Sequence, residues 1–209
     1  NRVRFRLDDL EDSCLGERCF IIGNGPSLKT TDLTQLQSEY TIGLNRIYLN
    51  YENMGFQPSF FCVTNPNVIE QFAQEIDQLN SIKFLTYRTR HLIENRWNAF
   101  FFESRGQHDF YTDLTHLVWS EGCTVTFCAM QVAYFLGFEE VVLVGVDHGF
   151  PNSGTPNTLV VADGPDANHF HPDYFGEGVK WQYPDLTGSE VSYRVAKGVF
   201  EKAGRRISD

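Results

Sequence analysis

The 209-residue chain lacks any apolar run approaching the roughly 18 to 20 residues that a membrane-crossing helix requires. It is also poor in basic side chains. Seventeen Lys and Arg stand against 27 Asp and Glu, a formal charge of -10, which argues against nucleic acid or an anionic membrane as the main partner. Any anionic ligand must therefore be held locally. No signal-peptide pattern is visible, and the five cysteines, an odd number, suit reduced thiols in a cytoplasmic setting. The chain opens at Asn1 rather than at a methionine, so it reads as a fragment of something longer. Two phosphate loops are missing as well. In the stretch Gly23-Asn24-Gly25-Pro26-Ser27-Leu28-Lys29, Leu28 stands where GxxxxGK[ST] needs its second glycine and where GxGxxG needs its third. The residue downstream that would take an NAD ribose is Asn45 rather than an acid, so NAD is excluded as the expected cofactor.

What is present is organised around Cys19 to Lys29, CFIIGNGPSLK. Cys19 to Ile22 are four consecutive apolar residues, as a parallel strand covered on both faces needs. Gly23 and Gly25 then permit a tight reversal into a helix that Pro26 would start. Backbone N–H groups at such a helix start, with the Ser27 hydroxyl, form an expected phosphate site.

The same pattern repeats along the chain. Tyr40 to Leu44 reads as a strand ending at Asn45, and Ser59 to Thr64 as a strand ending at Asn65, before a helix over Val68 to Leu79. Each asparagine alone suits a helix cap or an Asx turn. Together with the glycine turn they place amides and a hydroxyl on one edge of an open sheet, which suits a nucleobase and ribose lying across the strand ends. Thr31 to Gln37 reads as a short polar helix, Ile82 to Tyr87 and Ala99 to Glu103 as strands, and Arg88 to Trp97 as a helix between them. The segment 104–120 has no clear period.

Residues 121–150 carry the strongest helix-then-strand signal: Thr124 and Thr126 open a helix that Gly137 closes, and Val141 to Val146 form a core strand. Asp147 and His148 emerge at its end. His148 suits equally a buried partner of Asp147 and a ligand contact. Residues 151–186, rich in Gly, Pro and aromatics, read as a lid over the strand ends. His169 and His171 there offer an HxH pair; Pro172 constrains the loop and no third ligand is specified, so a general base ranks ahead of zinc. Residues 187–204 read as a closing helix, and Ile207 to Asp209 as the start of a further strand. The expected fold is α/β: a single Rossmann-like domain, 1–209, with an open, mostly parallel sheet and helices on both faces. Its core spans 18–150, its lid 151–186, and its closing helix and strand 187–209.

The combination of IIGNGPSLK, GLNRIY, TNPN, CAMQVAYFLGFEEVVLVGVDH and NHFHPDYFG resembles a family of domains that includes the 6-hydroxymethylpterin diphosphokinases and the motility-accessory-factor glycosyltransferases. It is also similar to the bacterial sialyltransferases of the Campylobacter type, and the lid with WQYPDLTGSE resembles bacterial members encoded near polysaccharide genes. The sialyltransferase resemblance implies a CMP donor held by Gly23, Asn24, Gly25, Ser27, Asn45 and Asn65, with Thr124 and Thr126 contributing. It further implies metal-independent transfer with His169 or His171 as general base. Asp147 and His148 at the strand end and Tyr174 among the lid aromatics are the expected substrate or lid residues. The expected function is transfer of a nucleotide-activated sugar, a CMP-linked nonulosonic acid, to a hydroxyl of a glycan or protein acceptor, with no required cofactor. The alternatives are a diphosphokinase using Mg-ATP, with magnesium on carboxylates such as Asp147, Asp166 or Asp173, and a nucleotide-binding module without catalysis.

Overall fold

A computed structural model describes residues 5–149 and 154–209. The boundary drawn at 150/151 lies outside them. The strands are β1 (Arg18–Ile22), β2 (Tyr40–Leu44), β3 (Phe60–Val63), β4 (Ile82–Thr86), β5 (Ala99–Ser104), β6 (Val118–Trp119), β7 (Glu140–Val144), β8 (Leu159–Val161), β9 (Lys180–Gln182) and β10 (Arg206–Ser208). The α-helices are α1 (Tyr51–Met54), α2 (Pro66–Gln78), α3 (Val125–Phe135) and α4 (Leu186–Lys202).

Eight strands form one sheet in the order β10-β7-β1-β2-β3-β4-β5-β6, every pair parallel. The chain builds outward from β1 to β6, and α3 then carries it back to β7 on the other side of β1. The direction of winding therefore reverses between β1 and β7, and in open α/β sheets ligands collect in the crevice outside the strand ends at that point.

Alternation along the strands divides the core in two. Cys19 and Ile21, Ile42 and Leu44, Phe60 and Cys62, and Phe100 and Phe102 face α3 and α4. Ile22, Phe61, Val63 and Leu85 face the layer made by α2, the short turns and the lid residues Phe170 and Tyr174. Because α3 lies between the sheet and α4, nine of its eleven residues are buried, which accounts for its apolar surface on every side.

Several expected helices are short 3-10 segments: Pro26–Lys29, Leu33–Leu36 and Tyr87–Leu92 stand in place of the helix expected from Pro26 and of those over 31–37 and 88–97. At the first, the Ser27 carbonyl accepts from the Thr30 backbone N–H and from the Thr30 and Thr31 hydroxyls, so side chains hold the acceptor that a longer ladder would use. Strand β6 was hidden in 104–120 because two residues show no period. The lid segment contains an antiparallel hairpin, β8 with β9, and the C-terminal residues do form a strand, β10 on β7.

Candidate functional site at the strand ends

At the switch point the glycine turn meets Asp147. The Ser27 backbone N–H donates to Asp147 Oδ2 at 2.6 Å and the Ser27 hydroxyl to Oδ1 at 2.5 Å. A carboxylate of the chain itself thus occupies the donors expected to hold phosphate, and a four-residue 3-10 turn has little dipole to add. The glycines serve close approach rather than unusual φ. Gly25 has φ -69 and ψ 163, open to any residue, yet a Cβ there would lie 2.3 Å from Asp147 Oδ2. A Cβ on Gly23 would lie 2.3 Å from the Gly145 carbonyl.

Asn24 and Asn45 stand at the ends of the adjacent strands β1 and β2. Asn24 donates from Nδ2 to the Leu44 carbonyl at 3.0 Å, tying the two strand ends together. Asn45 has φ 47, a left-handed conformation that asparagine tolerates better than most residues. The side-chain oxygens of both are buried without a donor, as is that of Asn168 in the lid. Buried acceptors of this kind usually find a partner in protein, water or ligand.

The lid closes over these ends. The Phe170 N–H donates to the Asn24 carbonyl at 3.0 Å, and Phe170 and Tyr174 enter the core. Arg46, buried directly after Asn45, donates from Nη1 to the carbonyls of Asp173, at 2.9 Å, and Tyr174. Burial pushes the Tyr174 phenol far above its ordinary value, against the pull of Arg46 and of a hydrogen bond donated by the Asn45 amide.

The two lid histidines differ. His169 Nδ1 lies 2.7 Å from Asp166 Oδ2, and the two side chains are 11% and 2% exposed. Asp166 is held in turn by the N–H groups of Asn168 and Phe175. The His169 ring stacks on Tyr174 with centroids 3.9 Å apart. An ionised carboxylate only accepts, so His169 Nδ1 carries the proton and Nε2 is the basic nitrogen of the neutral ring. His171 is set the opposite way. Its Nδ1 accepts from the Asp173 N–H at 3.1 Å, so the neutral ring carries its proton on Nε2.

His148 is exposed and does not pair with Asp147. Its Nε2 lies 3.6 Å from Glu190 on α4, and its ring meets Tyr193 edge-on, because the chain turns toward α4 after β7. Asn65 caps α2 through the Asn67 N–H at 2.9 Å, and Thr124 caps α3 through the Thr126 N–H at 3.3 Å; Thr126 itself is buried. The fold therefore gathers Asn24, Asn45, Tyr174 and His169, sets Gly23, Gly25, Ser27 and Asp147 beside them, and gives Asn65 and Thr124 cap bonds of their own. Sequence reasoning missed Arg46 and the orienting role of Asp166. Their signals were adjacency to Asn45 and a three-residue spacing from His169.

Over residues 1–153 the chain matches the family model described as 6-hydroxymethylpterin diphosphokinase MptE-like, and it belongs to that family. Among solved structures it resembles that of the MAf glycosyltransferase from Magnetospirillum magneticum AMB-1, at 18% identity and a TM-score of 0.57. The likeness covers 99% of this chain and 37% of that one, and it shows a shared fold. A search of curated proteins finds no match.

Proposed function

We propose that the chain is the donor-binding unit of a glycosyltransferase-like enzyme that uses a nucleotide-activated sugar, a CMP-linked nonulosonic acid, and an acceptor hydroxyl on a glycan or protein. The observation that carries this reading is the pair of unpartnered amide oxygens of Asn24 and Asn45 beneath a lid that bears an oriented histidine. A cytosine amino group and ribose hydroxyls are donors of the kind those oxygens lack. In this reading Gly23, Gly25 and Ser27 complete the nucleotide wall, with Asp147 holding Ser27 in place, while Asn65 and Thr124 cap the helices that border it.

In the reaction, His169 Nε2 takes the proton of the acceptor hydroxyl as its oxygen forms a bond to the anomeric carbon. The bond from that carbon to the CMP phosphate oxygen breaks, and CMP leaves with the electron pair. Asp166 holds the ring and stabilises the imidazolium that forms, while the closed lid excludes water.

A second reading is favoured by the family itself: pyrophosphoryl transfer from Mg-ATP to a pterin. The residues do not fit the magnesium it needs. Asp147 is held by Ser27, Asp166 by His169 and two N–H groups, and the Asp173 carboxylate is 80% exposed. Among the described residues no three metal-ligating side chains converge.

Calorimetry with CMP, a CMP-linked nonulosonic acid and Mg-ATP, followed by turnover of the bound donor, tests the choice. His169→Ala should cut turnover by ~10²- to 10⁴-fold with donor affinity little altered, and His171→Ala should cut it far less. Activity with Mg-ATP and a pterin alone, or wild-type turnover in His169→Ala, would show the assignment to be wrong.

A further inference from the structure

We infer that the Arg46 guanidinium is the anion-binding group of the strand-end crevice and takes a phosphate or carboxylate of the bound ligand. Arg46 is the buried arginine among the described residues, 6% exposed. Arg6, Arg18, Arg88, Arg105, Arg194, Arg205 and Arg206 each have a carboxylate within 4.0 Å; Arg46 has none among the described residues, like Arg90 and Arg96, but those two are not buried. Its bonds go to neutral oxygens: Nε to the Tyr48 hydroxyl at 3.2 Å, and Nη1 to the carbonyls of Asp173 and Tyr174. One face is covered by Phe72, 3.6 Å from the guanidinium carbon to the ring centroid. Nη2 has no acceptor among the described residues.

A cation withdrawn from water without a counter-charge is costly, and chains normally pair it. Lys83 is the other buried cation among the described residues, and it meets the carbonyls of Asp77 and Leu79 at the C-terminal end of α2, where the helix dipole offsets its charge. Arg46 has no helix end of this kind among its bonded partners. It follows Asn45 at the end of β2 and touches the lid residue Tyr174, so it stands at the strand end that carries the unpartnered Asn45 oxygen. A planar guanidinium with a spare N–H edge suits phosphate or carboxylate oxygens better than an ammonium does. Holding the lid and holding the anion are then one act: the group whose Nη1 fastens the Asp173 and Tyr174 carbonyls offers Nη2 to the ligand. The inference deepens the proposed function by naming what receives the donor's charge, yet it rests on the surroundings of Arg46 and holds for any anionic ligand of the crevice.

The test is calorimetry of the wild type, Arg46→Gln and Arg46→Lys with four probes: cytidine, CMP, free N-acetylneuraminate and inorganic pyrophosphate. Wild type should bind CMP at least ~10-fold tighter than cytidine, and Arg46→Gln should bring that ratio near one while cytidine affinity is kept, with Arg46→Lys between. Loss confined to N-acetylneuraminate would assign the guanidinium to the sugar carboxylate instead of the phosphate. Pyrophosphate binding that Arg46→Gln abolishes, with no binding of cytidine or CMP, would uphold the anion site and sink the nucleotide-sugar reading. Equal weakening of cytidine and CMP is the result of a purely structural latch and overturns the inference. So does unchanged anion affinity in Arg46→Gln, or a wild type that binds none of the three anions.

Discussion

Gly25→Ala tests whether glycine is there to admit the Asp147 carboxylate. The backbone at Gly25 is ordinary extended chain, so alanine carries no conformational strain and the cost is steric alone. The added Cβ would stand 2.3 Å from Oδ2, 2.6 Å from Cγ and 2.8 Å from Cβ of Asp147. Ordinary contact between such atoms begins near 3.4 Å, so the carboxylate must retreat by about 1 Å, which breaks both bonds to Ser27. Hydrogen bonds to a charged acceptor contribute about 1.5 to 3 kcal/mol each when buried. Both partners here reach solvent, and water replaces part of the loss, so the expected destabilisation is about 1 to 3 kcal/mol in all. Urea denaturation followed by tryptophan fluorescence measures it. In an Asp147→Gly background, which removes the Cβ as well as the carboxylate, the obstacle is gone, and Gly25→Ala should then cost under about 0.5 kcal/mol, a coupling of about 0.5 kcal/mol or more. Equal costs in the two backgrounds would refute the steric argument.

The amides should separate by role: Asn24→Ala and Asn45→Ala weaken nucleotide binding by about 1 to 3 kcal/mol in calorimetry, whereas Asn65→Ala mainly lowers the urea midpoint by the about 0.5 to 2 kcal/mol of a lost helix cap. Hydrogen bonds from Arg18 and Arg206 hold Glu39 and Glu140 below the usual glutamate value of 4.5. The stability they contribute is present above that value and lost as pH falls through their lowered pKa, so the urea midpoint should fall below about pH 4.5, less so in high salt. Burial raises all five thiols, those of Cys19, Cys62 and Cys128 the most, and Cys123 is the least buried cysteine. A disulfide reagent at pH 8 should therefore modify Cys123 first, and rapid reaction of Cys62 would contradict the packed sheet.

The sequence by itself determined an open, mostly parallel sheet and most of its strands. Runs such as Cys19 to Ile22 and Phe60 to Val63 are apolar at every position because strands covered on both faces bury both sides, and the glycine or polar residue after each run marks the strand end. The apolar α3 and the strand β7 that follows it were legible for the same reason. What sequence could not decide depended on partners far along the chain. Ser27 and Asp147 are 120 residues apart, and only the parallel pairing of β1 with β7 brings a carboxylate onto the donors that sequence assigned to phosphate. The choice between His169 and His171 rests on a proton position, which Asp166 sets in one ring and the Asp173 N–H sets in the other. Arg46 reads in sequence as one more charged side chain. Its burial without an acid exists only once the lid residues Asp173 and Tyr174 fold down onto it, because removal of a charge from water is a property of the packed chain and not of any one segment.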